Sequence, residues 1–394
     1  MQIIKQPSNY SFSRNPVEFL IEVQSFSESV SFNLHISDGE SHYEDVYTYQ
    51  PYQKKENNIQ KYFIDFDISE ILEAFAQPLQ AWNGSSNGIV HYSLEFLDSS
   101  GIIFNGYVIQ GGIPSEMFQK LKLEGQDIFN TRFCNFETLF LLTTRKLSNN
   151  MIFFRHSEMH NIVFFAKKNH QFSLKSGSNE FQIPTEAERD YFCFFNIKTA
   201  FDALNPPNDT MWMWVDDNMV FGIEILPDPV SEEKYMLEFK NSLGVFERYL
   251  VSAEASIMPD ISEKENYLTN ELGYLQTKHL RATQNEKLQV STGSKITEEM
   301  LLLTDLLISD EVYLLNGNER KVCKVTAENF KFAQVQNLKE SAMLTIDLMQ
   351  PEENFLPDIN DSENDTYTIT FNAEGGSTPP SPMIVRAGDV IVVN

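Results

Sequence analysis

Short runs of alternating apolar and polar residues recur in the first third of this chain. Because successive side chains of a strand point to opposite faces, a period of two predicts half-buried strands. Turn residues such as Asp38-Gly39 separate the runs at regular intervals, which predicts a β-sandwich-like domain over residues 1–115. The predicted strands and one short helix of this domain are residues 17–23, 29–36, 62–68, 91–97 and 102–109, with the helix at 69–75.

Residues 116–230 predict a second β-domain that is rich in phenylalanine. Two Phe-containing runs, residues 151–155 and 162–166, lie close enough in sequence to predict a hairpin. A turn is predicted at 216–218. Further strands are predicted at residues 171–174, 191–197, 211–215 and 220–226.

Residues 231–351 predict an α+β domain. One helix begins near Thr297, which is expected to cap it, and Met300, Leu303 and Leu307 form an apolar stripe at helical spacing. The turn at residues 316–318 predicts a hairpin. The strands predicted around these features are residues 235–239, 245–251, 311–315, 320–326 and 342–348.

The remaining sequence predicts an acidic linker followed by a small β-grasp-like segment. Residues 352–365 contain acidic side chains and no basic one, and residues 366–394 return to a strand-like pattern. The abundance of phenylalanine (31) and tyrosine (15) also favours strands. The chain is therefore predicted to be mainly β and multi-domain.

Charge and cysteine usage narrow the possible partners. A net charge of −26 repels phosphates, so we expect no nucleic-acid partner. No apolar stretch reaches 18 residues, so no membrane insertion is expected, and the N-terminal residues lack the apolar core of a secretory signal. Cys134, Cys193 and Cys323 are widely spaced, which predicts no disulfide framework and favours a reducing compartment.

No set of residues in the sequence predicts a catalytic, cofactor-binding or metal site. His156 and His160 flank Glu158, but the spacing of the metalloprotease motif is not met, and the segment is expected to be an exposed polar loop between strands. Asp358, Asn360 and Ser362 begin a calcium-loop pattern that lacks its obligatory glycine and its final glutamate.

Aromatic residues supply the candidate contact sites. Trp212 and Trp214 share one face of a predicted strand, and burial in the core is preferred there over a sugar-stacking platform. The residues expected to be exposed in loops, where they could contact a partner or stack on a sugar, are Trp82, Tyr43, Tyr47 and Tyr49.

Residues 235–247 read Tyr-Met-Leu-Glu-Phe-Lys-Asn-Ser-Leu-Gly-Val-Phe-Glu, in which Asn-Ser-Leu-Gly separates two predicted strands. This element resembles one found in tail-associated proteins of Bacteroidetes phages and prophages. Residues 291–348 resemble a later segment, and residues 4–16 resemble their N-terminus. The resemblance implies a virion structural protein that assembles in the host cytoplasm.

A second resemblance covers residues 366–388. The sequence Tyr-Thr-Ile-Thr-Phe-Asn-Ala-Glu-Gly-Gly-Ser, with the prolines at 379 and 380 and Gly388, is similar to the Listeria–Bacteroides repeat of bacterial surface proteins. Glu374 stands where that repeat usually has Asn or Asp. The resemblance implies display or spacing and no catalysis.

Together these observations predict a non-catalytic structural protein of a phage tail or baseplate that works by oligomeric assembly and partner docking. The expected partners are other copies of the chain and other virion tail proteins, with a host surface glycan or protein as a further candidate. The alternative is a cell-surface adhesin or carbohydrate-binding protein. A glycan-processing enzyme is the least favoured hypothesis, because no site argues for it.

Overall fold

The computed structural model divides the chain into two compact units, Met1–Ile261 with Gln284–Met349, and Ser262–Thr283 with Gln350–Asn394. The fold is mainly β, so the predicted fold class is confirmed. The predicted domain boundaries at residues 115, 230 and 351 stay predictions. The structure describes residues 1–37, 42–56, 59–77, 89–97, 101–124, 139–184, 191–231, 233–252, 255–271, 274–317, 319–328, 330, 341–348, 366–369 and 383–386.

The first region of the larger unit is a sandwich of two sheets. Its elements are β1 Gln2–Lys5, β2 Tyr10–Phe12, β3 Glu18–Val23, β4 Val30–Ser37, β5 His42–Tyr49, β6 Tyr52–Glu56, β7 Ile59–Asp67, α1 Ser69–Glu73, β8 Ile89–Phe96 and β9 Ile103–Ile109. One sheet has the order β1-β3-β7-β6 and the other β2-β9-β8-β4-β5. Every second residue of β3 and β4 is buried, as the alternation predicts, and Phe32 stacks on Phe66 between the sheets at 4.7 Å.

A second sandwich follows. Its elements are α2 Ser115–Leu123, β10 Leu139–Leu141, β11 Met151–Arg155, β12 Asn161–Ala166, β13 Phe172–Ser176, β14 Asn179–Ile183, β15 Tyr191–Asn196, α3 Ile197–Leu204, β16 Thr210–Val215 and β17 Asn218–Leu226. The orders are β10-β12-β15 and β11-β17-β16-β13-β14. A shared core that includes Phe164 and Met211 joins the two sheets.

The predicted hairpin between residues 151–155 and 162–166 is wrong. Strand β11 pairs in parallel with β17, whereas β12 pairs with β10 and β15 in the opposite sheet. The short connection crosses from one sheet to the other through a 3-10 turn, His156–Glu158. Both strands were correctly located, but sequence proximity does not decide which strands pair.

The third region is α+β and consists of one helix and one sheet whose strands differ widely in length. Its elements are β18 Tyr235–Lys240, β19 Phe246–Val251, β20 Ala255–Glu271, β21 Tyr274–Ser291, α4 Thr297–Ile308, β22 Val312–Asn316, β23 Glu319–Glu328 and β24 Met343–Leu348. Residues 262–283, which include parts of β20 and β21, belong to the second unit. The strand order is β19-β18-β22-β23-β24-β21-β20. The predicted hairpin across residues 316–318 is confirmed by the pairing of β22 with β23.

Helix α4 has the predicted apolar stripe, but the prediction that Thr297 caps it is wrong. Met300 and Leu303 are fully buried against the sheet. The expected cap, Thr297, is already the first helical residue, and Ile296 occupies the N-cap position. Ile296 has no side-chain acceptor, so the helix start is held instead by Glu299, whose carboxylate accepts the Ile296 backbone N–H at 2.9 Å.

The second compact unit includes a short antiparallel pair near the C-terminus. The pair consists of β25 Thr366–Ile369 and β26 Met383–Arg386. A strand pair within residues 366–394 agrees with the predicted small β-segment. The calcium-loop pattern of Asp358, Asn360 and Ser362 lies outside the described residues.

Candidate functional site

The three regions of the larger unit meet at a shared junction. A separate apolar cluster draws side chains from the first sandwich, the second sandwich and the loop that follows β18. Since no single region buries these side chains alone, their burial favours the three regions staying together. The cluster includes Phe12, Ile109, Phe140, Val163, Phe165, Leu243 and Val245.

Two loops at the junction pack with their backbones almost in contact. Gly244 has a φ of +81°, and a Cβ at that position would overlap the carbonyl oxygen of Gln110. The Gly112 N–H donates to the Ser242 carbonyl at 2.9 Å. Glycine is therefore required at residue 244 both by its backbone conformation and by the approach of the first sandwich.

Asn241 organises the turn that carries this glycine. Its Oδ1 accepts the backbone N–H groups of Leu243 and Val245, both at 3.0 Å. Its Nδ2 donates to the Leu142 carbonyl at 3.0 Å and to Glu247 at 2.8 Å. The Asn-Ser-Leu-Gly sequence is thus a turn whose first residue also attaches it to the second sandwich.

Arg145 lies at the centre of a buried network of charges and is only 7% exposed. Its Nη1 donates to Glu158 at 3.1 Å and to the Phe153 carbonyl at 3.0 Å, while its Nη2 donates to the Arg248 carbonyl. Its Nε lies 3.1 Å from Glu247, which is ion-pair distance, although the alignment is not that of a hydrogen bond. One guanidinium therefore links the second sandwich to β19.

Glu158 is 1% exposed, so the prediction of an exposed polar loop is wrong for this residue. Its carboxylate accepts the Leu250 N–H at 2.7 Å and the Arg155 N–H at 3.1 Å. His160 is buried too, and its Nδ1 donates to the Glu158 carbonyl at 2.7 Å. Burial, reinforced by the charge of Arg145, lowers the pKa of His160 to about 3, so this imidazole is neutral.

A second ion pair joins the second sandwich to α4. Arg155 donates twice to Glu299, each time at 2.7 Å, in the bidentate geometry that favours strong pairing. Lys295 is fully buried and donates to Glu299 at 3.3 Å and to the Leu250 carbonyl. Burial opposes ionisation of Glu299, but these cations outweigh it and lower the pKa of the carboxyl.

Asp305, on the same helix, closes the network. It accepts the Thr144 hydroxyl at 2.7 Å and the Ser242 N–H at 3.1 Å, and the Ser242 hydroxyl also bonds to it. Burial raises the pKa of this carboxyl, although the hydrogen bonds oppose that shift. The buried polar groups of the junction are thus used in attaching one region to another.

Tyr43, Tyr47 and Tyr49 lie on strand β5, so the prediction that they are loop residues is wrong. All three are half-buried on the inner side of the sheet and pack against the core of the first sandwich. Tyr47 and Tyr49 stack on Phe32 at 5.7 and 5.9 Å, and the Tyr43 hydroxyl bonds to that of Tyr47 at 2.8 Å. Trp82 lies outside the described residues.

An open pocket of about 380 Å³ lies at one end of the same sheet. His42 and His91 flank Ser37 from the two neighbouring strands, and His35 lies opposite Glu44 with 3.7 Å between Nδ1 and the carboxylate. Tyr43 also contributes to the lining, so one predicted contact residue borders a surface pocket. Within the described part of the chain, no cluster of His, Cys, Asp or Glu is arranged to hold a metal ion.

The described cysteines are buried and unpaired. Burial raises the pKa of Cys193 and of Cys323 to about 12, which keeps both thiols protonated and unreactive. Cys134 lies outside the described residues. Over the same described ranges, no helix is both long enough and apolar enough to cross a membrane.

No protein-family model matches this chain, and no curated protein sequence matches it. The junction residues were largely missed from the sequence. Asn241 and Gly244 belong to the Asn-Ser-Leu-Gly motif that carries the resemblance, but Arg145 follows no local pattern. The two charged residues Glu247 and Arg248 inside the apolar run of residues 245–251 are the signal that could have identified part of the network.

Proposed function

We propose that this chain is a non-catalytic structural protein of a phage tail or baseplate, which acts by oligomeric assembly and by docking to other tail proteins. The supporting observation is the junction, where an apolar cluster and a buried charge network attach three β-regions to one another. A protein that transmits load between neighbours needs such fixed geometry between its parts.

The charge network itself argues for a structural role. Arg145 and Lys295 donate to backbone carbonyls of β19, and Arg155 donates to Glu299 of α4, so each cation bonds to another part of the unit. A catalytic group must be able to reach a substrate, whereas these side chains are occupied and largely excluded from solvent. Their arrangement stabilises relative positions of the regions.

Strand β20 offers a route to assembly. It has 17 residues, far more than a typical strand of about 5–6. It is the last strand in the order of its sheet, and an edge strand presents backbone groups that can pair with another chain. We therefore assign β20 as the principal edge through which copies associate.

Light scattering over a concentration series tests this proposal. We expect a defined oligomer or concentration-driven assembly of the purified chain. Ile257, which is 68% exposed near the start of β20, provides the variant: Ile257→Lys introduces an edge charge that blocks strand pairing and should lower the assembled fraction. Ile308→Lys, at an equally exposed position at the end of α4, is the matched control.

The outcomes separate the two functions. Assembly that Ile257→Lys weakens and Ile308→Lys leaves intact supports edge pairing. A strict monomer at every concentration, together with absence of the chain from purified tail particles, contradicts the proposal. That result favours the alternative of a cell-surface adhesin or carbohydrate-binding protein, for which glycan binding is then the decisive measurement.

A further inference from the structure

Strand β16 has two faces of different character. Met211 and Met213 are fully buried between the sheets of the second sandwich. Trp212 and Trp214 point the other way and are half-buried on the outer face of the five-stranded sheet. The predicted core strand is therefore correct for the methionines and wrong for the two indoles, which lie on an accessible surface.

The setting of Trp212 is shaped by a glycine. Gly222, on β17, is paired with Trp212 on one side and with Met151 of β11 on the other. A Cβ at Gly222 would overlap the Met151 sulfur and come within 3.1 Å of the Trp212 ring. The missing side chain lets the indole and the thioether lie over the strand, which leaves a flat apolar surface at this point of the sheet.

Polar groups border the indoles on the other side. Lys175, on β13, is paired with Trp212, and its Nζ lies over the Trp214 ring at 4.8 Å from the ring centre, so it covers one face of that indole. Glu180 on β14 lies 3.2 Å from that ammonium group. Hydrogen bonds from Ser173, and then from Lys175, lower the pKa of the Glu180 carboxyl, so a carboxylate acceptor and an ammonium donor lie beside Trp212.

This combination matches the chemistry of a pyranose ring, which has apolar C–H faces and a rim of hydroxyl groups. An indole can cover the C–H face, while a carboxylate and an ammonium group bond to hydroxyls. Lys175 and Glu180 compensate each other, so the surface beside Trp212 selects neither anions nor cations, despite the chain's charge of −26. We propose that the outer face of β16 binds a neutral glycan, with Trp212 as the stacking platform and Trp214, whose ring lies under the Lys175 ammonium group, beside it.

The proposal does not rest on assembly, because a tail protein and an adhesin would both use such a site. Intrinsic fluorescence in a Trp82→Phe chain reports on Trp212 and Trp214 alone, since the chain has three tryptophans. The probes are cellohexaose, chitohexaose, maltoheptaose and mannohexaose, titrated separately. We expect at least one to shift the emission and to protect the indoles from acrylamide quenching.

Variants locate the binding. In calorimetric titrations of the otherwise unmodified chain, Trp212→Ala should weaken binding by roughly tenfold or more, and Trp212→Phe by less, because a smaller ring retains part of the stacking. Trp214→Ala should weaken binding by a smaller factor than Trp212→Ala, because Lys175 covers one face of the Trp214 ring. Phe26→Ala removes an aromatic ring that is 61% exposed in the first region and should leave affinity unchanged. Circular dichroism checks that each variant is folded.

Two results would overturn the proposal. One is that none of the four oligosaccharides changes the fluorescence or produces heat on titration. The other is that binding occurs but persists unchanged in both alanine variants. If the alanine variants instead abolish self-association seen by light scattering while no oligosaccharide binds, the face is a protein interface and the glycan assignment is rejected.

Discussion

The core of the first sandwich and the junction between the three regions are both buried, but the first consists of apolar side chains, whereas the second also contains charged ones. In the sandwich core, Phe32 packs among four aromatic rings at 4.7–6.0 Å, and the surrounding residues are apolar. At the junction, Arg145, Glu158 and Glu247 are each less than 10% exposed, and Arg145 donates a hydrogen bond to Glu158 and forms an ion pair with Glu247.

The difference concerns how each kind of packing responds to change. Apolar burial is not directional, so a core accepts a side chain of similar size at small cost. A buried charge depends on specific partners, and removal of one leaves the others in a medium that cannot solvate them. We therefore expect substitutions of similar size to cost far more at the junction than in the sandwich core.

Replacement of Arg145 should have the largest effect. Arg145→Met keeps a long side chain but leaves Glu158 and Glu247 buried without their cation, so we expect the free energy of unfolding to fall by about 3–5 kcal/mol. Urea denaturation measures this. Lys198→Met, which breaks an exposed pair with Asp202, should change it by about 0.5 kcal/mol or less.

A compensated variant sharpens the interpretation. Adding Glu158→Gln and Glu247→Gln to Arg145→Met removes the uncompensated charges and should recover part of the lost stability. If the single variant costs less than about 1 kcal/mol, the carboxylates do not depend on Arg145, and the contrast with the sandwich core is refuted.

Gly244 tests the backbone contact at the junction. Gly244→Ala places a methyl group against the Gln110 carbonyl and forces a residue with a Cβ to adopt a positive φ. We therefore expect the free energy of unfolding to fall by about 2–3 kcal/mol. Gly317→Ala is the matched control, because Gly317 has a φ of +60° and open space around it. Its loss should be about 1 kcal/mol, so equal losses in thermal unfolding would mean that the loop contact is unimportant.

His160 predicts how the junction responds to acid. Its folded-state pKa of about 3 lies below the ordinary value of about 6.5, so the unfolded chain binds the proton first. The contribution to stability is complete above about pH 6.5 and is lost as the pH falls toward 3. At pH 5 the loss in the free energy of unfolding should be about 2 kcal/mol.

The measurement compares urea unfolding of the unmodified chain and of His160→Asn at pH 7 and pH 5. Asparagine retains a donor for the Glu158 carbonyl but does not titrate, so the difference between the two chains should depend on pH. His35→Asn, at a half-exposed position, serves as the control. A pH-independent difference for His160→Asn would contradict the neutral, buried assignment.

The smallest effect is expected in the sandwich core. Phe32→Leu keeps an apolar side chain of nearly similar volume and should cost about 1 kcal/mol by thermal unfolding. Phe26→Leu, on an exposed ring, should cost nothing measurable. A loss at Phe32 as large as that at Arg145 would show that the aromatic stacks are as specific as the charge network.

The sequence predicted the strands of the first sandwich closely, because a period of two reports directly on which residues face a core. Strand β4 and the pairing of β8 with β9 follow the predicted alternation and turn. The same reasoning failed for residues 151–166, since β11 and β12 are neighbours in sequence but belong to different sheets. Periodicity carries no information about the partner of a strand.

Local pattern by itself therefore determined the mainly β character of this protein and the position of its apolar helix stripe. Only the tertiary structure decided that Glu158 and His160 are buried, that Asn241 and Gly244 join regions far apart in sequence, and that Trp212 faces outward. The physical reason is the distance along the chain over which each interaction acts. Strand propensity and alternation act between adjacent residues, whereas the pairing of Arg145 with Glu247 depends on two segments 102 residues apart arriving at one place.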